Sequence, residues 1–164
     1  MRRLLAILVL VIAGLTTASV AGAATSTTFV AVLSPSAGCA TSGHGVAIVT
    51  VTKEGTLEYR LIAANLENVT MAHIHRSDTG GGVAWLYNPT SPVDVYDQVV
   101  LASGTITPAD LMDPTITSVE QLAELLVDPP EDLSFYVNVH TSTADPTDTC
   151  EVSAISGELL LRSV

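Results

Sequence analysis

Met71-Ala72-His73-Ile74-His75-Arg76, followed by Ser77-Asp78-Thr79-Gly80-Gly81-Gly82, is the stretch on which the reading of this chain turns. Two imidazoles two residues apart share one face of an extended strand, because strand side chains alternate with a period of two. Ala72 and Ile74 then make the opposite, apolar face, and the glycine run reads as a turn. A second run, Phe135-Tyr136-Val137-Asn138-Val139-His140-Thr141, repeats the pattern. Val137 and Val139 fall on one face, and Tyr136, Asn138 and His140 on the other.

Outward from these two runs, the chain reads as short strands separated by turn residues. Thr27 to Leu33 is β-branched and aromatic and stops at Ser34-Pro35, and residues 36–45 are small, polar loop residues that include His44. Val46 to Thr52 and Thr56 to Ala64 flank Lys53-Glu54-Gly55, the signature of a β-hairpin. Asn65 to Thr70 reads as a linker, and its Asn68-Val69-Thr70 is a glycosylation sequon for a eukaryotic secretory pathway. Val83 to Tyr87, Val99 to Thr107, Leu133 to Thr141 and Val152 to Leu161 supply further strands, the last with an irregularity expected at Gly157. Helical signals are confined to residues 108–127. Thr107-Pro108 reads as a cap followed by a first-turn proline, and Ser118 opens a segment with Val119, Leu122, Ala123 and Leu126 at helical spacing, closed by Asp128-Pro129-Pro130. The fold class expected is all-β: a single-domain antiparallel β-sandwich or barrel with one or two short helices inserted between late strands.

The ends of the chain carry a different message. Met1-Arg2-Arg3 is a positive n-region, Leu4 to Leu15 an apolar core, and Ala21-Gly22-Ala23 a small-residue cleavage site, so residues 1–23 read as a secretory signal peptide and 24–164 as the domain. A membrane anchor is the competing reading. Gly14 and Thr16-Thr17 interrupt the apolar run before it reaches the roughly 20 residues that a span needs. The expected location is extracellular or periplasmic. Removing Arg2 and Arg3 takes the formal charge from −11 to −13. That acidity excludes nucleic acid and anionic membranes as partners, since both require a basic footprint. Two cysteines, Cys39 and Cys150, read in an exported chain as a disulfide joining the two ends of the domain. A soft metal ligand beside the histidines is the alternative role for one of them.

The Ala72-His73-Ile74-His75 motif with its glycine turn, the Tyr136-Val137-Asn138-Val139-His140-Thr141 strand, and a final Ile155-Ser156-Gly157-Glu158-Leu159 together resemble the CHRD (chordin-type) domain family. The resemblance spans Phe29 to Arg162. Members of that family usually end in Pro-x-Gly-Glu-Ile-Arg-Gly-Gln-Leu. Here Pro146 is followed by Thr147-Asp148-Thr149-Cys150-Glu151, and Ala154 and Ser156 stand where the Glu and Arg would be. The resemblance implies an extracellular β-sandwich or barrel, a family without established enzymatic activity, and a role beside modules that bind growth factors.

The chemistry available is that of the imidazoles. His73, His75 and His140, with Asn138 beside them, make the expected ligand-binding face. The partner expected is an extracellular protein or surface component whose identity the residues do not specify. No catalytic residue and no cofactor are assigned in that reading. The alternative is a small extracellular metalloprotein in which His73, His75 and His140 hold Zn or Cu, a His-x-His pair plus a distant imidazole being a usual three-nitrogen set. A cross-strand hydrogen-bonded cluster of the same groups is the purely structural reading. Copper–zinc superoxide dismutases also carry His-x-His on a β-sandwich, but they use a bridging histidine, an aspartate and more imidazoles than the four present here. Nucleophile elbows, phosphate loops and calcium loops are absent from the sequence. The acid pairs Asp94/Asp97 and Asp145/Asp148 read as solvated surface with at most weak affinity for Ca²⁺. Trp85 and Tyr87 share a face and would either stack on a ligand or fill the core.

Overall fold

A computed structural model of the protein describes residues 25–142 and 153–162. Residues 1–23, which the sequence reading expects to be a signal peptide, and Asp145, Asp148 and Cys150 lie outside them. Among the described residues ten strands form one sheet: β1 (Thr27–Pro35), β2 (His44–Val51), β3 (Leu57–Ala64), β4 (Leu66–Arg76), β5 (Gly82–Tyr87), β6 (Val93–Val95), β7 (Val99–Ile106), β8 (Phe135–Thr141), β9 (Ile155–Glu158) and β10 (Leu160–Leu161). The main order is β5-β4-β8-β9-β1-β2-β3-β7, with β10 beside β1 and β6 beside β4. Every pairing is antiparallel.

The sheet curls until its outer strands β5 and β7 approach one another, which nearly closes a barrel. Across that seam the Tyr59 hydroxyl of β3 donates to the Leu86 carbonyl of β5 at 2.8 Å. Burial, followed by the nearby Asp110 carboxylate, pushes the Tyr59 phenol above its ordinary value. Inside, one core runs from Phe29, Ala31 and Leu33 through Val49, Leu57 and Leu61 to Ile74, Val137, Val139 and Ile155. The expected alternation holds along β3: Leu57, Leu61 and Ala63 are buried while Glu58 and Arg60 are exposed.

The helical expectation resolves into a single turn of 3-10 helix at Pro108–Asp110 and one α-helix, α1 (Val119–Val127). Asp110 accepts hydrogen bonds from the Thr107 amide (2.8 Å) and hydroxyl (2.7 Å), holding the first turn. Ser118 caps α1 by accepting from the Gln121 amide at 3.2 Å. Val119, Leu122, Ala123 and Leu126 face the core, as their spacing requires. Among the described residues no helix is long and apolar enough to cross a membrane.

Two boundaries differ from the sequence reading for local reasons. The expected linker at residues 65–70 is instead the first half of β4, paired with β6 at Leu66 and Val69 and with β8 from Val69 onward. Asn65, in the bend between β3 and β4, and Asn68, inside β4, both take positive φ (53°), a conformation that asparagine tolerates better than most residues, and around Asn68 the ladder shifts register rather than ending. In the C-terminal run the break between β9 and β10 falls at Leu159, while Gly157 pairs in register with Val137.

Candidate functional site

Strands β4 and β8 lie side by side, with His73 opposite Asn138, His75 opposite Tyr136 and Met71 opposite His140. Residues directly opposite in an antiparallel ladder project from the same face. Ala72, Ile74, Val137 and Val139 therefore enter the core together, and His73, His75, Tyr136, Asn138 and His140 stand on the other side. The sequence expectation of a shared imidazole face is met, and one nitrogen from each of His73, His75 and His140 lies within 4.8 Å of the other two.

This outer face is not open to water as an outer barrel face usually is. His73 retains only 5% of its accessible surface and His75 8%, while His140 is half-buried. The cover comes from three directions. Trp85 on β5, opposite His73 in register, packs edge-on with its ring centre 4.2 Å from that of His73. Tyr136 stacks on His75 at 5.1 Å with the rings 20° apart. The segment after the 3-10 turn lies across Gly82, where the Met112 amide donates to the Val83 carbonyl and a Cβ on Gly82 would meet the Met112 methyl at 3.1 Å. Glycine at 82 is what allows Met112 to come this close.

Arg76, at the end of β4, fastens that covering segment. Its guanidinium takes both oxygens of Asp78 (2.7 and 2.8 Å) and reaches Asp113 at 2.8 Å. The hydrogen bonds to Asp78 and then Asp113 raise the Arg76 pKa further above its ordinary value. Asp78 is lowered chiefly by its hydrogen bond to Arg76, and Asp113 by its bonds to Thr115 and to Arg76.

The imidazoles themselves are specifically oriented. His75 Nδ1 lies 2.9 Å from the Gly80 carbonyl, an acceptor, so Nδ1 carries the proton of the neutral ring and Nε2 is left with a bare lone pair. Gly80 has φ of 69°, and this left-handed turn residue aims the carbonyl back at the ring. His73 Nδ1 is 3.2 Å from His140 Nε2, one ring donating to the other. The Nε2 atoms of His73 and His75 are buried and have no hydrogen-bond partner among the described residues. Burial, followed by the neighbouring His140 and His75 imidazoles, lowers the His73 pKa to about 3. Burial also lowers His75, against an opposing pull from the Gly80 carbonyl.

Other residues singled out in the sequence are placed as follows. Asn138 is buried opposite His73, and its Oδ1 accepts from the Ser153 hydroxyl at 2.8 Å, joining a chain of hydroxyls through Ser36 to Ser156. His44 opens β2 rather than sitting in a loop, is exposed, and bonds the Ser42 carbonyl; it stands apart from the three-histidine group. Asp94 accepts from the Asn68 amide and the Tyr96 hydroxyl. Cys39 is buried and is not a free thiol, and its expected partner Cys150 lies outside the described residues. Tyr136, Gly80, Met112 and Arg76 were not anticipated as parts of the site. Only Tyr136 had a readable signal, since alternation along β8 puts it on the face of His140.

The fold defines a small antiparallel β-barrel domain, with its polar cluster on the strand pair that carries the two sequence motifs. The chain belongs to the CHRD domain family, whose model matches residues 29–147. That match includes both histidine-bearing strands, and the third motif, Ile155 to Leu159, lies beyond it. Comparisons with curated proteins and with solved structures give no match.

Proposed function

We propose that this protein is an exported, non-catalytic binding module of the CHRD type, and that its ligand is received at the outer face of β4 and β8, at His73, His75 and His140. Membership of the family supports a binding or structural role. One observation carries the assignment of the face: two buried imidazole nitrogens on one strand, His73 Nε2 and His75 Nε2, have no partner among the described residues. Leaving a buried polar atom unpaired costs about 1–3 kcal/mol, so a pair of them on neighbouring rings is retained against stability. A ligand that satisfies both recovers that cost on binding. Neither thiol nor carboxylate joins the three imidazoles among the described residues, which supports a non-catalytic reading. The acidic surface makes nucleic acid and anionic membrane unsuitable partners.

The test is a ligand panel followed through the imidazole ¹⁵N resonances of the mature domain, covering divalent cations, small anions, glycans and peptides of both charges. The reading requires that at least one class moves the His73, His75 and His140 signals saturably while the His44 signals stay in place. If no class moves the three, the face is a structural cluster and the assignment falls.

A further inference from the structure

The donor set at this face is chemically narrow. Three imidazole nitrogen donors converge, and no carboxylate oxygen or thiolate joins them among the described residues. Hard ions such as Mg²⁺ and Ca²⁺ demand oxygen ligands, whereas borderline divalent ions such as Zn²⁺ and Cu²⁺ prefer imidazole. We propose that the ligand of this face is a single divalent transition ion, Cu²⁺ in preference to Zn²⁺, held by one nitrogen each from His73, His75 and His140; this rests on the proposed binding role of the face.

The spacing fits. Two nitrogens on one tetrahedral ion with bonds of about 2.0–2.1 Å stand about 3.3 Å apart. His73 Nδ1 and His140 Nε2 are already 3.2 Å apart, and all three donors lie within 4.8 Å. Bringing in the third donor closes at most about 1.5 Å, within reach of a modest rotation about the imidazole side-chain bonds. The orientation fits as well. His75 is held through Nδ1–H by the Gly80 carbonyl, the outer support that metal-binding histidines ordinarily have, and it presents Nε2. His73 presents either its unpartnered Nε2 or, once the proton shared with His140 moves to the far nitrogen of a ring, its Nδ1. Trp85 and Tyr136 wall the site, and His140 is its half-buried member.

A three-nitrogen site leaves a tetrahedral or tetragonal ion one further position for water or an exogenous donor, which is how such a centre would recognise a partner's side chain. It differs from a copper–zinc dismutase site, because no bridging imidazole or second-metal carboxylate accompanies the three histidines among the described residues.

The chain has one tryptophan, Trp85, whose ring is 4.2 Å from that of His73, so bound Cu²⁺ should quench its fluorescence. The experiment titrates chelator-treated mature protein with CuCl₂, then repeats the titration with ZnCl₂ as a non-quenching competitor and with CaCl₂. The proposal requires quenching that saturates at one equivalent of Cu²⁺, reversal by excess Zn²⁺, and no effect of Ca²⁺. His140→Gln should weaken Cu²⁺ binding on the order of 100-fold, at or beyond what losing an outer support costs. His44→Gln should leave it unchanged. The electron paramagnetic resonance spectrum of the unmutated Cu²⁺ complex should show coupling to nitrogen from several imidazoles, a readout that needs no variant to fold. Quenching without a stoichiometric end point, equal binding in His140→Gln, or a spectrum of oxygen ligands alone overturns the proposal. If metals fail while another panel ligand moves the imidazole resonances, the metal is refuted and the binding face stands; if nothing moves them, both fall.

Discussion

His73 makes the acid stability of the metal-free protein a direct test of how deeply this face is buried. In the unfolded chain its imidazole takes up a proton near the ordinary value of about 6.5. In the folded chain burial and the adjacent His140 and His75 rings delay that uptake to about 3. Its contribution to stability is therefore whole above pH 6.5 and is lost as the pH falls from there towards 3, because the unfolded state alone binds the proton in that window. The slope rises from half its limit at pH 6.5 to about 1.4 kcal/mol per pH unit, so lowering the pH from 6.5 to 4.5 costs about 2.3 kcal/mol from this one group. Against a total stability of about 5–15 kcal/mol that is a large loss. The measurement is urea unfolding of chelator-treated protein at several pH values, for the wild type and for His73→Leu. Carboxylates titrate in both proteins and cancel in the comparison. The wild type should lose about 2.3 kcal/mol more than the variant across this range, a difference in midpoint shift of roughly 1–2 M urea. Parallel pH profiles for the two proteins would mean that the folded state takes up the proton as readily as the unfolded one, and the burial argument would be refuted.

Three further outcomes follow from individual contacts. Tyr59→Phe removes the only side-chain hydrogen bond described between β3 and β5, and urea unfolding should register a loss of about 1 kcal/mol at neutral pH. Gly157→Ala would press a Cβ into the Val32 backbone across β1 and β9, so it should destabilise by about 1–3 kcal/mol, whereas Thr105→Ala on the exposed part of β7 should stay within about 0.5 kcal/mol by the same assay. Thiol titration of the denatured, unreduced protein should find no free thiol if Cys39 pairs with Cys150; two thiols per chain would exclude the bond.

The motif strands were readable because a period of two leaves little freedom. Once Ile74 and Val137 are assigned to the core, His73, His75 and His140 have to share the other face. Alternation along one strand says nothing about what lies above it. The burial of His73 and His75 depends on Trp85 arriving from β5, on the Gly80 carbonyl turning back, and on Arg76 and Asp113 drawing the Met112 segment over Gly82. Asp113 stands 37 residues from Arg76, and no local pattern announces that pairing. The start of β4 is hidden for the opposite reason: Asn65 and Asn68 carry turn chemistry, which here serves the short bend between β3 and β4 and a register shift inside the ladder. Val93-Asp94-Val95 is too short to show periodicity and is recognisable as β6 only by its pairing with β4.

The division of labour on β4 explains how a domain can keep an unsatisfied polar cluster. Ala72 and Ile74 are fully buried in the barrel and pair with Val139 and Val137, so the strand is fixed by apolar burial and by ladders to β5 and β8. The imidazoles behind them contribute nothing to that interior, and with two buried nitrogens that have no partner among the described residues they work against folding by about 2–6 kcal/mol. An inert cluster would serve stability better with apolar residues of similar size, which would pack under Trp85 and Tyr136 without an unpaired atom. A binding site requires the reverse: donors held in place by a scaffold whose stability comes from elsewhere, with their lone pairs unspent until a ligand arrives. His73 and His75 meet that requirement, since their positions are set by the strand and by the Gly80 and His140 hydrogen bonds rather than by the atoms left free. Replacing both by leucine separates the two accounts. A binding site predicts a more stable protein that no longer responds to the ligand; a less stable protein would mean that the hydrogen bonds to Gly80 and His140 outweigh the unpaired nitrogens and that the cluster is structural.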